Sequence, residues 1–144
     1  GTDLCLALDR ASRFLKARAC AFLVTDFLLP GRVAEEFTRL IRTLRAARRR
    51  HEVVAVSVSD PRELELPNLG RVTLEDAETG DRIEIDTTSE ATRASYQRAA
   101  ERYRLLIDRC LRLGGVERID LSTARPGMPG LVAFLGNRRA RRAS

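Results

Sequence analysis

The 144-residue chain carries 26 Lys and Arg against 20 Asp and Glu, a net charge of +6, and 44% of it is hydrophobic. That length suits one ordinary domain with a real core, and the apolar share excludes a disordered polymer. The longest apolar runs, residues 19–25 and 53–58, fall far short of the ~20 residues of a spanning helix; with no basic head or cleavage site at Gly1-Thr2-Asp3-Leu4, no signal peptide and no membrane insertion are expected.

The chain opens on a helical pattern. Leu4, Ala7, Leu8, Ala11, Phe14, Leu15 and Arg18 recur at the spacing of one helix face, which leaves Asp9, Arg10, Arg13 and Lys16 for water. The unbroken run from Cys20 to Thr25, closed by Asp26, predicts a strand covered on both faces, as in a parallel sheet. After Pro30-Gly31 a second helix is expected over 32–49, with Val33, Phe37, Leu40, Ile41 and Leu44 inward. Its last turn, Arg48-Arg49-Arg50, puts cations at the negative end of the dipole.

Residues 53–58 form a second buried strand, stopped by Asp60-Pro61, and the two strands with the helix between them make a βαβ unit. Val72 and Leu74, then Ile83 and Ile85, alternate with polar residues around a loop containing Gly80, which predicts a β-hairpin over 71–75 and 82–86 with one wet face. The longest helix spans 87–114: Thr87 and Glu90 form a capping box, Tyr96, Ala99, Ala100, Tyr103, Leu106, Ile107 and Cys110 make the apolar stripe, and Gly114-Gly115 ends it in a left-handed cap. A short third strand over 116–121 and a last helix begun by Pro129 complete the order. The expected fold is three-layer α/β, a mostly parallel sheet with helices on both faces plus the hairpin, over residues 1–137 with a basic tail at 138–144.

Net charge runs +6 over residues 1–50, −6 over 51–100 and +6 over 101–144, a layout that favours self-complementary contacts as much as nucleic acid. Cys5, Cys20 and Cys110 are too widely spaced for a disulfide framework or a zinc site, and are expected as buried reduced thiols of a cytoplasmic protein. Asp26 and Asp60 follow the carboxyl ends of apolar strands, the edge where open α/β sheets bind ligands, so both are candidate metal ligands; both are equally suited to stopping a strand and capping a turn. His51 lacks a nucleophile beside it and is expected as a solvated partner of the helix end. The arginine clusters at 48–50 and 138–142 come without interleaved aromatics or a known module, so nucleic acid is not the expected partner.

Several stretches resemble the C-terminal part of the domain of unknown function 58 family, bacterial proteins with a von Willebrand factor A-like fold. They are Gly1-Thr2-Asp3-Leu4, Phe22-Leu23-Val24-Thr25-Asp26-Phe27, residues 51–56 leading to Asp60-Pro61-Arg62-Glu63, Leu66-Pro67, Gly70, residues 75–80, and Arg93 to Tyr96. The resemblance implies a metal-ion-dependent adhesion site in which Thr2 is the threonine and Asp26 the aspartate, with Mg²⁺ as the ion. The family's Asp-x-Ser-x-Ser loop is not in this sequence, and the resemblance implies that it and further strands stand upstream of Gly1. It also implies a MoxR-type AAA+ ATPase as partner in protein assembly or maturation. Two function classes follow: a protein-binding adaptor that self-associates through an uncovered sheet edge, and a metal-dependent nuclease or other nucleic-acid-binding protein using the clustered aspartates.

Overall fold

The computed structural model describes residues 3–29, 33–61, 65–75, 80–124, 132 and 136. Along the chain run α1 (Leu4–Phe14), β1 (Cys20–Thr25), α2 (Val33–Arg50), β2 (Glu52–Ser59), β3 (Arg71–Glu75), β4 (Arg82–Asp86), α3 (Glu90–Gly114) and β5 (Glu117–Ser122). β1, β2 and β5 form a parallel sheet in the order β1-β2-β5, and β3 pairs with β4 antiparallel in a separate ribbon. The parallel neighbours and both hairpin strands fall where the sequence put them. The expected helix from Pro129, the basic tail and most of the hairpin loop lie outside the described residues.

Register assigns the two faces of the sheet. Phe22, Val54 and Glu117 share one row, and Val24, Val56 and Ile119 the next. On the opposite face Val53, Ala55 and partly buried Leu23 join the main core with Cys5 and Leu8 of α1, Leu40 and Leu44 of α2, and Ile107 and Leu111 of α3. The three described helices therefore pack on one face, where helices were expected on both. Val54, Val56 and Ile119 make a second cluster on the other face, flanked by Val58 and Leu121.

Four local expectations are corrected. β2 is buried on both sides, but β1 lies at the sheet edge among the described strands and is covered on one face only: Phe22 is 41% and Val24 61% exposed, and Cys20 is exposed. α1 stops at Phe14, which is 86% exposed; Leu4 and Leu8 of the expected stripe meet the core, joined by buried Cys5 and Ser12, while Phe14 does not. His51 is buried, not solvated; its Nε2 lies 3.0 Å from the Ser12 carbonyl, which fixes that nitrogen as the donor. Finally, Ser89 caps α3, accepting from the Thr92 amide. Thr87 is fully buried instead, donating to the Gly70 carbonyl (2.6 Å) and accepting from the Leu69 amide (2.9 Å), which ties the foot of the hairpin to the start of α3.

The helix ends explain the packing that remains. Asp3 caps α1 through the Leu6 amide and pairs with Arg39 of α2 at 2.6 Å, and these contacts hold its carboxyl below the ordinary value, the backbone bond most. Gly115 takes the left-handed cap (φ 73°) expected of the glycine pair. Gly114 lets α3 approach α2 so closely that a Cβ there would meet Leu44 Cδ1 at 2.8 Å. Arg45 of α2 donates to the Leu113 carbonyl, placing a cation at the end of α3.

Candidate functional site

Parallel strands leave their carboxyl ends at one edge, and there β1 delivers Asp26 into a tight, non-regular loop. Asp26 Oδ1 accepts from the Leu28 amide (3.0 Å) and from the Thr25 hydroxyl (3.4 Å), an Asx-type turn. The next residue, Phe27, has φ 58°, a left-handed conformation uncommon outside glycine. Its fully buried side chain anchors that conformation in the core. Tyr103 of α3 then clamps the loop: its hydroxyl donates to the Phe27 carbonyl and accepts from the Leu29 amide, both at 2.9 Å. Burial pushes the Tyr103 phenol up from its ordinary value, so it stays protonated as the donor this clamp needs. Its ring also packs on Phe37 of α2, centroids 6.0 Å apart. The loop that carries Asp26 is thus held by its own turn bonds, the buried Phe27 side chain and hydrogen bonds to an element distant in sequence.

Beside it opens a cleft of about 510 Å³ between the carboxyl half of the sheet and the middle of α3. Asp26 and Leu28 stand at one side, and Tyr96, Ala99, Ala100 and Tyr103 supply the helix wall. The floor is Ser57, Arg118 and Asp120, with Ser59 beyond. Arg118 is only 14% exposed; its Nε donates to Asp120 Oδ1 (2.8 Å), its Nη2 lies 2.5 Å from the same oxygen, and the guanidinium also reaches Ser57 Oγ at 3.4 Å. Sequence reasoning passed over Arg118, Asp120 and Ser57. The signal was present as alternation: in β5, Arg118 and Asp120 interleave with Ile119 and Leu121, and Ser57 interrupts a valine run in β2.

Asp26 is the one predicted site residue that lines the cleft; Thr2 lies outside the described residues, and Asp60 follows β2 without being among the lining residues. Mg²⁺ demands near-ideal octahedral oxygen coordination. Among the described residues no three His, Cys, Asp or Glu side chains gather to hold an ion, Asp26 Oδ1 already accepts two bonds, and Asp120 is committed to Arg118. The described donors do not by themselves make a Mg²⁺ site. Nor is any helix among the described residues long and apolar enough to cross a membrane.

Fold and cleft define an α/β domain with a ligand-sized opening at the carboxyl edge of its parallel sheet. Residues 1–105 match the family described as protein of unknown function DUF58, and the chain belongs to that family. Uncharacterized proteins of Mycobacterium tuberculosis and Mycobacterium bovis are each 37% identical over 137 residues, covering 95% of this chain and 41% of their own length. An uncharacterized protein of Mycobacterium avium is 36% identical over 137 residues, 95% of this chain and 76% of its own. The chain thus spans about two fifths of the length of the first two. No solved structure matches it significantly.

Proposed function

We propose that the chain is the C-terminal part of a von Willebrand factor A-like interaction module, a cytoplasmic adaptor that works with a MoxR-type AAA+ ATPase in protein assembly or maturation. The observation that carries this reading is the clamped Asp26 loop. A loop built with a non-glycine residue in a left-handed conformation, a buried phenylalanine and a long-range tyrosine clamp holds one carboxylate at a fixed place beside a cleft. Strain of that kind persists only where the surroundings over-determine it, and it clusters at ligand sites. A rigid acidic point on a sheet edge suits recognition of a partner, because preorganisation lowers the entropy cost of binding.

Thr2 and Asp26 are the proposed oxygen ligands of the module. With two ligands the chain leaves most of an octahedral shell to water, so Mg²⁺ binding is expected to be weak in this chain and tighter in a longer protein that adds the serine loop. The open edge of β1, with Phe22 and Val24 exposed, supports self-association of the chain. The test is capture of a MoxR-type ATPase by the longer protein, wild type against Asp26→Ala, with calorimetric titration of Mg²⁺ alongside. Loss of capture on removing the carboxylate, with unchanged melting, is the expected result. Equal capture by both proteins rejects the adaptor role for this loop, and hydrolysis of nucleic acid that depends on Asp26 favours the nuclease instead.

A further inference from the structure

We infer that the outer edge of β3 is a pairing site for a second copy of this chain: two β3 strands align antiparallel about a two-fold axis at Thr73 and join two hairpins into one continuous sheet. The inference goes beyond the adaptor reading, does not rest on Asp26, and uses an edge other than that of β1.

The ribbon gains from such a neighbour. β3 and β4 form a two-stranded sheet separate from the parallel one, and two strands alone are marginally stable in water. Successive residues point to opposite faces, which puts Arg71, Thr73, Glu75, Arg82 and Glu84 on one face and Val72, Ile83 and Ile85 on the other. Ile83 on the apolar face is 63% exposed. Continuing the register, the Thr87 amide donates straight across the ladder to the Gly70 carbonyl at 2.9 Å. Bonding alternates along an antiparallel strand, so Val72 bonds toward β4, whereas Arg71, Thr73 and Glu75 turn amide and carbonyl to the outer edge. No described strand pairs with that edge, and a row of backbone groups of this kind is a template for another strand.

The edge is complementary to itself in sequence, which selects a second copy as the occupant. Turned about Thr73, Arg71 of each copy faces Glu75 of the other, and Thr73 faces Thr73. These are the positions whose backbone groups point outward, so each facing pair exchanges both amide–carbonyl bonds. With β4 included, the row across the joined sheet reads Arg82, Glu75, Arg71, Asp86, alternating in sign. Within one copy Arg82 pairs with Glu75 at 2.8 Å and Arg71 with Glu84 at 3.7 Å, and all four side chains are more than half exposed, open to a further partner. Opposite charges facing across strands stabilise a sheet and like charges destabilise it. A slip of the register by two residues removes both Arg–Glu facings. The same operation on β4 sets Glu84 against Glu84, so the ribbon has one self-complementary edge and one self-repelling edge. β1 carries no charge from Cys20 to Thr25 and has no such selection. A two-fold contact of this kind closes on a dimer.

Sedimentation velocity of this chain over a range of concentrations should show a dimer. Amide hydrogen exchange, read by ¹⁵N spectra of dilute and concentrated samples, should slow by about tenfold or more at Arg71, Thr73 and Glu75 on concentration, and little at Val72. Thr73→Pro removes an outward amide while leaving the bonds to β4, since proline is accepted on a free strand edge. It should weaken the dimer by about tenfold or more, with the Val72 and Ile85 amides still protected. Arg71→Glu and Glu75→Arg each set like charges face to face and should stay monomeric alone, and a mixture of the two should dimerise. Val24→Asp should leave this dimer in place. A monomer at every concentration, an undiminished dimer in Thr73→Pro, a dimer lost in Val24→Asp, or exchange slowed along β1 instead of β3 overturns the inference. Failure here leaves Asp26-dependent ATPase capture standing, and failure of that capture leaves the β3 dimer standing.

Discussion

β1 and β2 are near twins in sequence, each a short apolar run closed by an aspartate, yet they live in different surroundings. β2 sits between two strands, with Val54 1% exposed, whereas β1 shows Phe22 and Val24 to solvent on its outer face. Hydrophobicity told that both segments are strands and nothing about which is the middle one. The apolar surface left on β1 is therefore a property of the sheet order among the described strands.

The largest expected effect comes from putting a charge in each strand. Val54→Asp buries an unpaired carboxylate and should cost about 3–5 kcal/mol in chemical denaturation. Val24→Asp, on the same face of the sheet, should stay within about 0.5 kcal/mol and lower self-association in light scattering. Similar losses for the two would remove the distinction between edge and centre.

Next in size are two changes where α3 meets the rest. Gly114→Ala drives a methyl against Leu44 and should cost about 1–3 kcal/mol. Thr87→Val strips the hydroxyl from the Gly70 carbonyl and Leu69 amide, for about 1–3 kcal/mol. Ser89→Ala removes only a helix cap and should cost about 1 kcal/mol. Thermal melting of the last two variants separates the buried clamp from the cap.

Thiol chemistry sharpens the comparison at lower energy. Cys20 on the open strand should react quickly with an aromatic disulfide reagent, while Cys5 and Cys110 react only on unfolding. Burial pushes the Cys110 thiol up to about 11, so its contribution to stability is intact below the thiol's ordinary range and fades as pH climbs toward that value. One fast thiol in the native chain and three in denaturant is the expected count.

The smallest effect is acidic. Contacts with the Leu6 amide and Arg39 lower the Asp3 carboxyl, so the stability it contributes is present above the usual carboxylate range and lost as pH falls through its native value. Asp3→Asn should flatten that part of an acid denaturation curve, with little change at neutral pH.

The sequence by itself determined the kind of each described element between residues 4 and 122, the parallel βαβ core, the glycine stop of α3 and the position of Asp26 at a strand end. These are local: period, capping chemistry and turn residues act over a few positions, and a strand-closing aspartate is readable where it stands. Only the tertiary structure decided that β1 is the edge among the described strands, that α1 turns Cys5 and Ser12 inward beside Leu8, and that His51 is buried against the Ser12 carbonyl. It also made Tyr103, read from its spacing as a core residue, the clamp on the Asp26 loop, and it set Arg118 beneath the cleft. The contacts of His51, Tyr103 and Arg118 join residues 39, 76 and 61 positions apart in the chain. An amphipathic pattern records that a face will be covered, and only the packed neighbours decide what covers it.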